Sequence, residues 1–189
     1  MKRKVAIIGL DGASLDVINF LSKKGLLPHI SKFFEEGVYG ELKSTYPPIT
    51  PAAWVAFMTG KNPGKHGVYD FMTKIPGMYV WEPTNVRINN TLWDTLSQVN
   101  KKVLIINVPM TYPPSKINGI LISGLGTPSD NSVFTYPDEF KTFLMNNKYI
   151  IDIDWIPYFR KDKKVEELIE DLITMTKKRY EIIYSLIKN

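Results

Sequence analysis

Apolar runs alternate with turn residues along the chain, and this pattern predicts strands and helices in turn. Residues 5–10 and 102–107 are largely apolar without polar alternation. Such runs are typical of strands that are buried on both faces of a parallel sheet. Three further strands are predicted, at residues 38–44, 78–82 and Gly119–Ser123.

Helices are predicted from capping residues and from apolar positions at helical spacing. They cover residues 15–22, 28–36, 51–59, 91–99, 137–146 and 162–188. In the third, Thr50 is predicted as the N-cap, Pro51 as the first helical residue and Gly60 as the end. Because strands and helices alternate, we expect an α/β fold in which helices flank a mostly parallel sheet, with residues 1–189 in one domain.

The composition is that of a folded globular domain. Of 189 residues, 44% are hydrophobic and 23% charged, and the longest apolar runs fall far short of the roughly 20 residues of a membrane span. Without cysteine there is neither a disulfide nor a thiolate metal site, which fits a cytoplasmic location. The net charge of +5 comes from scattered Lys and Arg, which favours anionic small molecules over a nucleic-acid duplex as partners.

Asp11 is the first residue with candidate chemistry. It follows the first predicted strand, and ligands of open α/β sheets bind beyond the carboxyl ends of strands. A carboxylate at that edge can hold a divalent cation. The alternative is that Asp11 only forms a turn with Gly12.

Thr50 is the second candidate. The free N–H groups of a first helical turn and the helix dipole attract an anion, so a phosphate could bind beside the Thr50 hydroxyl. The same field would favour the alkoxide that attacks phosphorus. The alternative is that Thr50 only caps its helix.

Two glycine-containing segments do not match nucleotide-binding fingerprints. Residues 60–66 read G-K-N-P-G-K-H, which lacks the spacing and the Ser or Thr of a P-loop. Gly124-Leu125-Gly126 lacks the third glycine of a dinucleotide site. An ordinary nucleotide-binding fold is therefore disfavoured, and a role for His66 in the first segment stays open.

Taken together, three segments resemble the type I phosphodiesterase/nucleotide pyrophosphatase branch of the alkaline phosphatase superfamily. They read I-I-G-L-D-G, L-P-H-I-S-K-F-F-E-E-G and S-T-Y-P-P-I-T-P-A-A-W-V-A-F-M-T-G-K-N-P-G-K-H-G-V. Later segments, I-N-V-P-M-T-Y-P-P and S-G-L-G-T-P-S, resemble uncharacterised prokaryotic members of that branch. The resemblance covers essentially the whole chain.

The resemblance implies hydrolysis of a phosphoester small molecule with two divalent metal ions, commonly zinc, with manganese as the alternative. It makes Asp11 a ligand of one metal. It makes Thr50 the nucleophile, which forms a covalent phospho-threonine, and also a ligand that bridges the two metals.

Two departures from the family qualify these expectations. An asparagine that usually follows the H-G element is missing, which leaves Asp70 and His66 as candidates for substrate binding. The family's remaining metal ligands lie in a later half, so we expect this chain to be the N-terminal part of the hydrolase domain, with a site that is incomplete on its own. We then expect self-association or a complementing C-terminal segment. The alternative function is a non-catalytic α/β domain that binds a phosphorylated ligand or a partner.

Overall fold

The computed structural model describes residues 4–74, 81–83 and 88–188, with only the backbone at 81–83. It divides the chain into two compact units, Met1–Ser44 and Thr45–Asn189. None of the helices described is long and apolar enough to cross a membrane.

The first unit contains two helices, α1 (Leu15–Lys23) and α2 (Pro28–Glu36), as the sequence predicts. The Ser14 hydroxyl caps α1 by accepting a hydrogen bond from the Val17 N–H at 3.5 Å. Pro28 occupies the first position of α2, where its missing N–H has no helical partner to lose. None of residues 4–44 is buried, so this unit has no core of its own among them.

The two strands predicted in this unit are wrong. Residues 5–10 and 38–44 belong to no strand in the structure, and Val5 and Val38 are 86% and 102% exposed. An apolar run becomes a strand only when a neighbouring strand satisfies its backbone, and the described residues provide no such neighbour. The apolar pattern of residues 5–10 therefore corresponds to exposed side chains, and no strand pairs with them in the part of the chain that the structure describes.

The second unit contains the remaining elements. Its helices are α3 (Thr50–Thr59), α4 (Pro63–His66), α5 (Leu92–Gln98), α6 (Phe140–Asn146), α7 (Ile156–Phe159) and α8 (Val165–Lys188). Its strands are β1 (Met72–Lys74), β2 (Trp81–Pro83), β3 (Val103–Val108), β4 (Gly119–Ser123) and β5 (Thr135–Tyr136). The predicted helices and strands after residue 88 are confirmed to within a few residues, whereas α4, β1, β5 and α7 were not predicted. Of the strand predicted at 78–82, residues 78–80 lie outside the described residues, and 81–82 lie in β2.

The prediction of a mostly parallel sheet is wrong. In the described part of the chain, β3 and β4 pair in parallel, but β4 and β5 are antiparallel, and so are β1 and β2. The parallel strands expected at 5–10 and 38–44 do not form, and the unpredicted β5 turns back beside β4. Over the described residues the class is α/β, with one small mixed sheet, β3-β4-β5, and one antiparallel pair, β1-β2.

Strand β4 separates two apolar clusters because successive side chains of a strand point to opposite faces. Leu121 belongs to a cluster with Val55 and Met58 of α3. Ile122 belongs to a second cluster with Leu144 of α6 and Ile182 of α8. Helices therefore cover both faces of the three-stranded sheet, and α3 is fixed on it by its buried residues.

Candidate functional site

Asp11 lies in a tight turn of the first unit. Gly12 has φ +70°, a left-handed conformation that glycine adopts without steric cost, and the Ser14 N–H donates to the Gly12 carbonyl at 3.0 Å. The Asp11 side chain is exposed. The turn with Gly12, which is the alternative interpretation of Asp11 from the sequence, is therefore present. The exposed Asp11 carboxylate is also accessible to a cation.

Thr50 is the first helical residue of α3 and not its N-cap, which corrects the prediction by one position. Ile49 is the N-cap, since its carbonyl accepts the first helical hydrogen bond, from the Ala53 N–H at 3.0 Å. Pro51 then takes the second position, and Gly60 ends the helix with φ +65° as predicted. As a result the Thr50 hydroxyl is not used as a cap.

The start of α3 presents donors with no helical acceptor. The first N–H groups of a helix have no partner within it, and Pro51 contributes none. The N–H groups of Thr50 and Ala52 remain, beside a half-buried Thr50 hydroxyl that makes no hydrogen bond to any described residue. By contrast, Thr59 at the other end of α3 donates its hydroxyl proton to the Val55 carbonyl at 2.6 Å.

His66 ends the short helix α4, which packs against α3. Its Nδ1 accepts a hydrogen bond from the Val68 N–H at 3.1 Å, and its Nε2 is buried without a hydrogen bond among the described residues. Burial lowers the pKa of His66, and the nearby Ala52 carbonyl opposes that change more weakly. The imidazole is therefore neutral at pH 7, with one nitrogen facing the first turn of α3.

Helix α4 was not predicted because the glycines of this segment suggested a loop. The signal was Asn62 followed by Pro63: the Asn62 side chain caps the helix by accepting from the Lys65 N–H at 3.1 Å, and proline suits the first position. Asp70 lies beyond α4 on the surface, where its Oδ1 accepts from the Phe71 N–H at 2.6 Å.

The structure thus brings His66 to the first turn of α3, close to Ala52. Asp11 belongs to the other unit. Within the described residues there is no group of three or more His, Cys, Asp or Glu side chains that could hold a metal ion. Zinc takes about four ligands in proteins, so Asp11 and Thr50 alone do not form a site for it.

Comparison with known proteins decides the family. Residues 5–186 match the type I phosphodiesterase / nucleotide pyrophosphatase family. The chain belongs to this family. The match confirms the resemblance to this branch of the alkaline phosphatase superfamily and supports a phosphoester hydrolase as the class of function. No curated protein and no solved structure matches the chain.

Proposed function

We propose that this family member is a phosphoester hydrolase in which the Thr50 hydroxyl is the nucleophile. One observation carries the proposal: the half-buried hydroxyl at the start of the ten-residue helix α3 is engaged by no described residue and lies beside two N–H donors. A threonine that only stabilised the helix would use its hydroxyl as a cap, and here the cap is Ile49.

The first turn of α3 is suited to the anion that the reaction involves. The N–H groups of Thr50 and Ala52 and the positive end of the helix dipole would attract phosphoryl oxygens and stabilise the charge that grows on them. Buried residues of α3, among them Ala52 and Val55, fix the helix in the core. The donors are therefore held in place before a substrate binds.

The proposed reaction has two displacements at phosphorus. Thr50 Oγ forms a bond to phosphorus as its proton passes to solvent water, the bond from phosphorus to the alcohol oxygen breaks, and the alcohol departs with that electron pair and takes up a proton from water. Water then attacks the phosphorylated Thr50, which releases the acid product and restores the hydroxyl. His66 is not the base that accepts the Thr50 proton. Its Nδ1 accepts a hydrogen bond from the Val68 N–H, so in the neutral imidazole Nε2 carries the ring proton and has no lone pair to accept another.

Divalent metal ions, zinc or manganese, form part of the proposal as the family's cofactors, with Asp11 and Thr50 among their ligands. The described residues do not complete such a site, so no step is derived through a metal. We propose that the missing ligands come from a complementing segment or from a second copy of this chain. Asp70 and His66 remain proposed substrate-binding residues, of which His66 is the one close to α3.

The test is hydrolysis of an aryl phosphodiester and an aryl phosphomonoester, with zinc or manganese added. We expect Thr50→Ala to release the aryl alcohol at least about 10³-fold more slowly than the unchanged protein, because the attacking oxygen is lost. Thr50→Ser keeps an attacking oxygen and should retain part of the activity.

Thr59→Ala is the matched control, since it removes a threonine hydroxyl from the opposite end of the same helix. It should hydrolyse both substrates at nearly the unchanged rate. Equal rates in Thr50→Ala and the unchanged protein would contradict the assignment of Thr50. If the unchanged protein binds phosphate but hydrolyses neither ester at any metal concentration, the chain is the phosphate-binding domain of the alternative hypothesis.

A further inference from the structure

Helix α8 has two apolar faces. One packs against other described residues in the core, and the other is exposed. Met175 and Ile182 are 6% and 3% exposed and pack inward. A second set of apolar side chains is between 48% and 68% exposed. We name this set the α8 stripe: Val165, Ile169, Ile173, Tyr180, Tyr184 and Ile187.

The α8 stripe is continuous along the helix. At 100° per residue its six members fall within about 100° of one another, and they lie well away from Met175 and Ile182. The helix has 24 residues and is therefore about 36 Å long. An exposed apolar surface of this length, bordered by charged side chains, is typical of an interaction site.

The charges of α8 are divided between its two halves. Residues 165–176 contain four acidic side chains and no basic one, whereas residues 177–188 contain four basic side chains and one acidic. Several of these charges have partners within the chain: Asp171 pairs with Lys163, and Lys178 with Glu181. Glu166, Glu170, Lys177 and Lys188 are exposed and form no ion pair in the described part of the chain.

The order of charges along α8 favours one partner and one orientation. Acidic residues at the start and basic residues at the end also stabilise a lone helix through its dipole. A parallel copy would nevertheless bring acidic residues against acidic ones, whereas an antiparallel copy brings the acidic half against the basic half. The apolar residues follow the same symmetry about residues 176 and 177, since Ile173 would face Tyr180 and Ile169 would face Tyr184.

We propose that the α8 stripe is a self-association surface, on which two copies of this chain pair through antiparallel α8 helices. The stripe supplies the apolar contact, and the exposed charges beside it select the antiparallel orientation. The proposal does not depend on the assignment of Thr50.

Sedimentation over a range of protein concentrations tests the association. We expect a species of twice the 21.7 kDa chain mass that dissociates on dilution. Ile173→Glu buries a charge in the interface and should give a monomer under the same conditions. Thr174→Glu adds the same charge at an exposed residue outside the α8 stripe and should leave the dimer intact. Circular dichroism of both variants checks that α8 remains folded.

Disulfide crosslinking between introduced cysteines tests the orientation of the two helices. The chain has no cysteine of its own, so every disulfide formed comes from the introduced residues. Thr176→Cys lies near the proposed symmetry axis and should crosslink with itself. Val165→Cys should not, because the two copies of residue 165 would lie more than about 30 Å apart, but it should crosslink with Ile187→Cys. A monomer at all concentrations, an unaffected Ile173→Glu dimer, or self-crosslinking of Val165→Cys would each overturn the proposal.

Discussion

Tyr149 is a buried phenol whose ionisation should control stability at alkaline pH. It is 6% exposed, and burial raises its pKa to about 12. Arg179 is near enough to oppose this change slightly, yet the hydroxyl makes no hydrogen bond of ordinary geometry with any described residue. The unfolded chain ionises Tyr149 near pH 10, while the folded chain keeps the proton.

We therefore expect the contribution of Tyr149 to stability to be constant below about pH 10 and to fall as the pH rises from 10 towards 12. The loss from this residue should reach about 2 to 3 kcal/mol. Tyr149→Phe should remove that part of the dependence and cost nothing at pH 7, because its missing hydroxyl has no partner to lose. Urea unfolding of both proteins between pH 7 and 11 measures the difference, and parallel curves would contradict the prediction.

Gly119 is required where β4 begins beside β3. Its φ is +152°, and a Cβ atom there would lie 1.8 Å from the Val103 carbonyl oxygen. Because that oxygen belongs to β3, which is paired with β4, it cannot move away without disturbing the pairing of the two strands. We expect Gly119→Ala to lower the free energy of unfolding by about 3 kcal/mol or more.

Gly64→Ala is the control for Gly119→Ala, because the added carbon would only reach ordinary contact distance, 3.5 Å from the Asn62 side chain. Its midpoint of urea denaturation should stay close to that of the unchanged protein. Equal midpoints for the two variants would show that the approach of β3 and β4 is not tight.

Arg179 attaches helix α8 to the segment that follows α6. Its Nε donates to the Ile150 carbonyl at 3.3 Å, and its Nη2 donates to the Ile151 carbonyl. Asn107 lies near the end of β3. With its amide oriented so that the nitrogen donates to the Ile151 carbonyl, its side-chain oxygen accepts a hydrogen bond from the same guanidinium at 3.0 Å. One side chain thus joins a helix, a strand and a loop.

We expect Arg179→Ala to cost about 2 to 3 kcal/mol of unfolding free energy, since carbonyl groups lose charged donors. The stability of Arg179→Lys should lie between that of the unchanged protein and that of Arg179→Ala, because a lysine keeps the charge but cannot donate in several fixed directions. Denaturant midpoints of the three proteins give the order. A lysine variant as weak as the alanine variant would mean that the charge contributes nothing.

The elements that could be predicted from sequence are those whose signals are local. The capping box of α5, in which Thr91 and Asp94 satisfy each other's backbone N–H groups, is readable from residue types and spacing. Strands are different, because a strand depends on a partner that its own residues do not specify. Residues 5–10 and 103–108 have similar apolar patterns, but only the second has a described neighbour, in β4.

The same distinction applies to the candidate site. Thr50 and Pro51 indicated the start of α3 to within one residue, since both act on their own helix. The approach of His66 to Ala52 could not be predicted, because it depends on how α4 packs against α3. A pattern of residue types therefore located the hydroxyl, while tertiary packing determined what surrounds it.

The two units of the chain differ in the burial of side chains, on which stability depends. The core clusters lie in the second unit, around β4, whereas none of residues 4–44 is buried. Amide hydrogens are protected from exchange to the degree that the structure around them resists opening. We expect amides of α1 and α2 to exchange almost as fast as in an unfolded chain, and those of β3 and β4 to be among the slowest.

Hydrogen exchange followed by mass spectrometry measures this difference peptide by peptide. Helix α5 provides a comparison with α1, since both are short and capped but only α5 buries a tryptophan, Trp93. Equal protection of α1 and α5 would show that the first unit is stabilised as strongly as the second.

Attack by the Thr50 oxygen on phosphorus would produce a covalent phospho-threonine, and trapping that intermediate distinguishes Thr50 from any other nucleophile. The protein would be incubated with an aryl phosphomonoester and zinc, quenched in acid, digested and mapped by mass spectrometry. We predict a phosphoryl group on Thr50, absent in Thr50→Ala and unchanged in Thr59→Ala. A phosphoryl group on another residue, or one that persists undiminished in Thr50→Ala, would contradict the assignment.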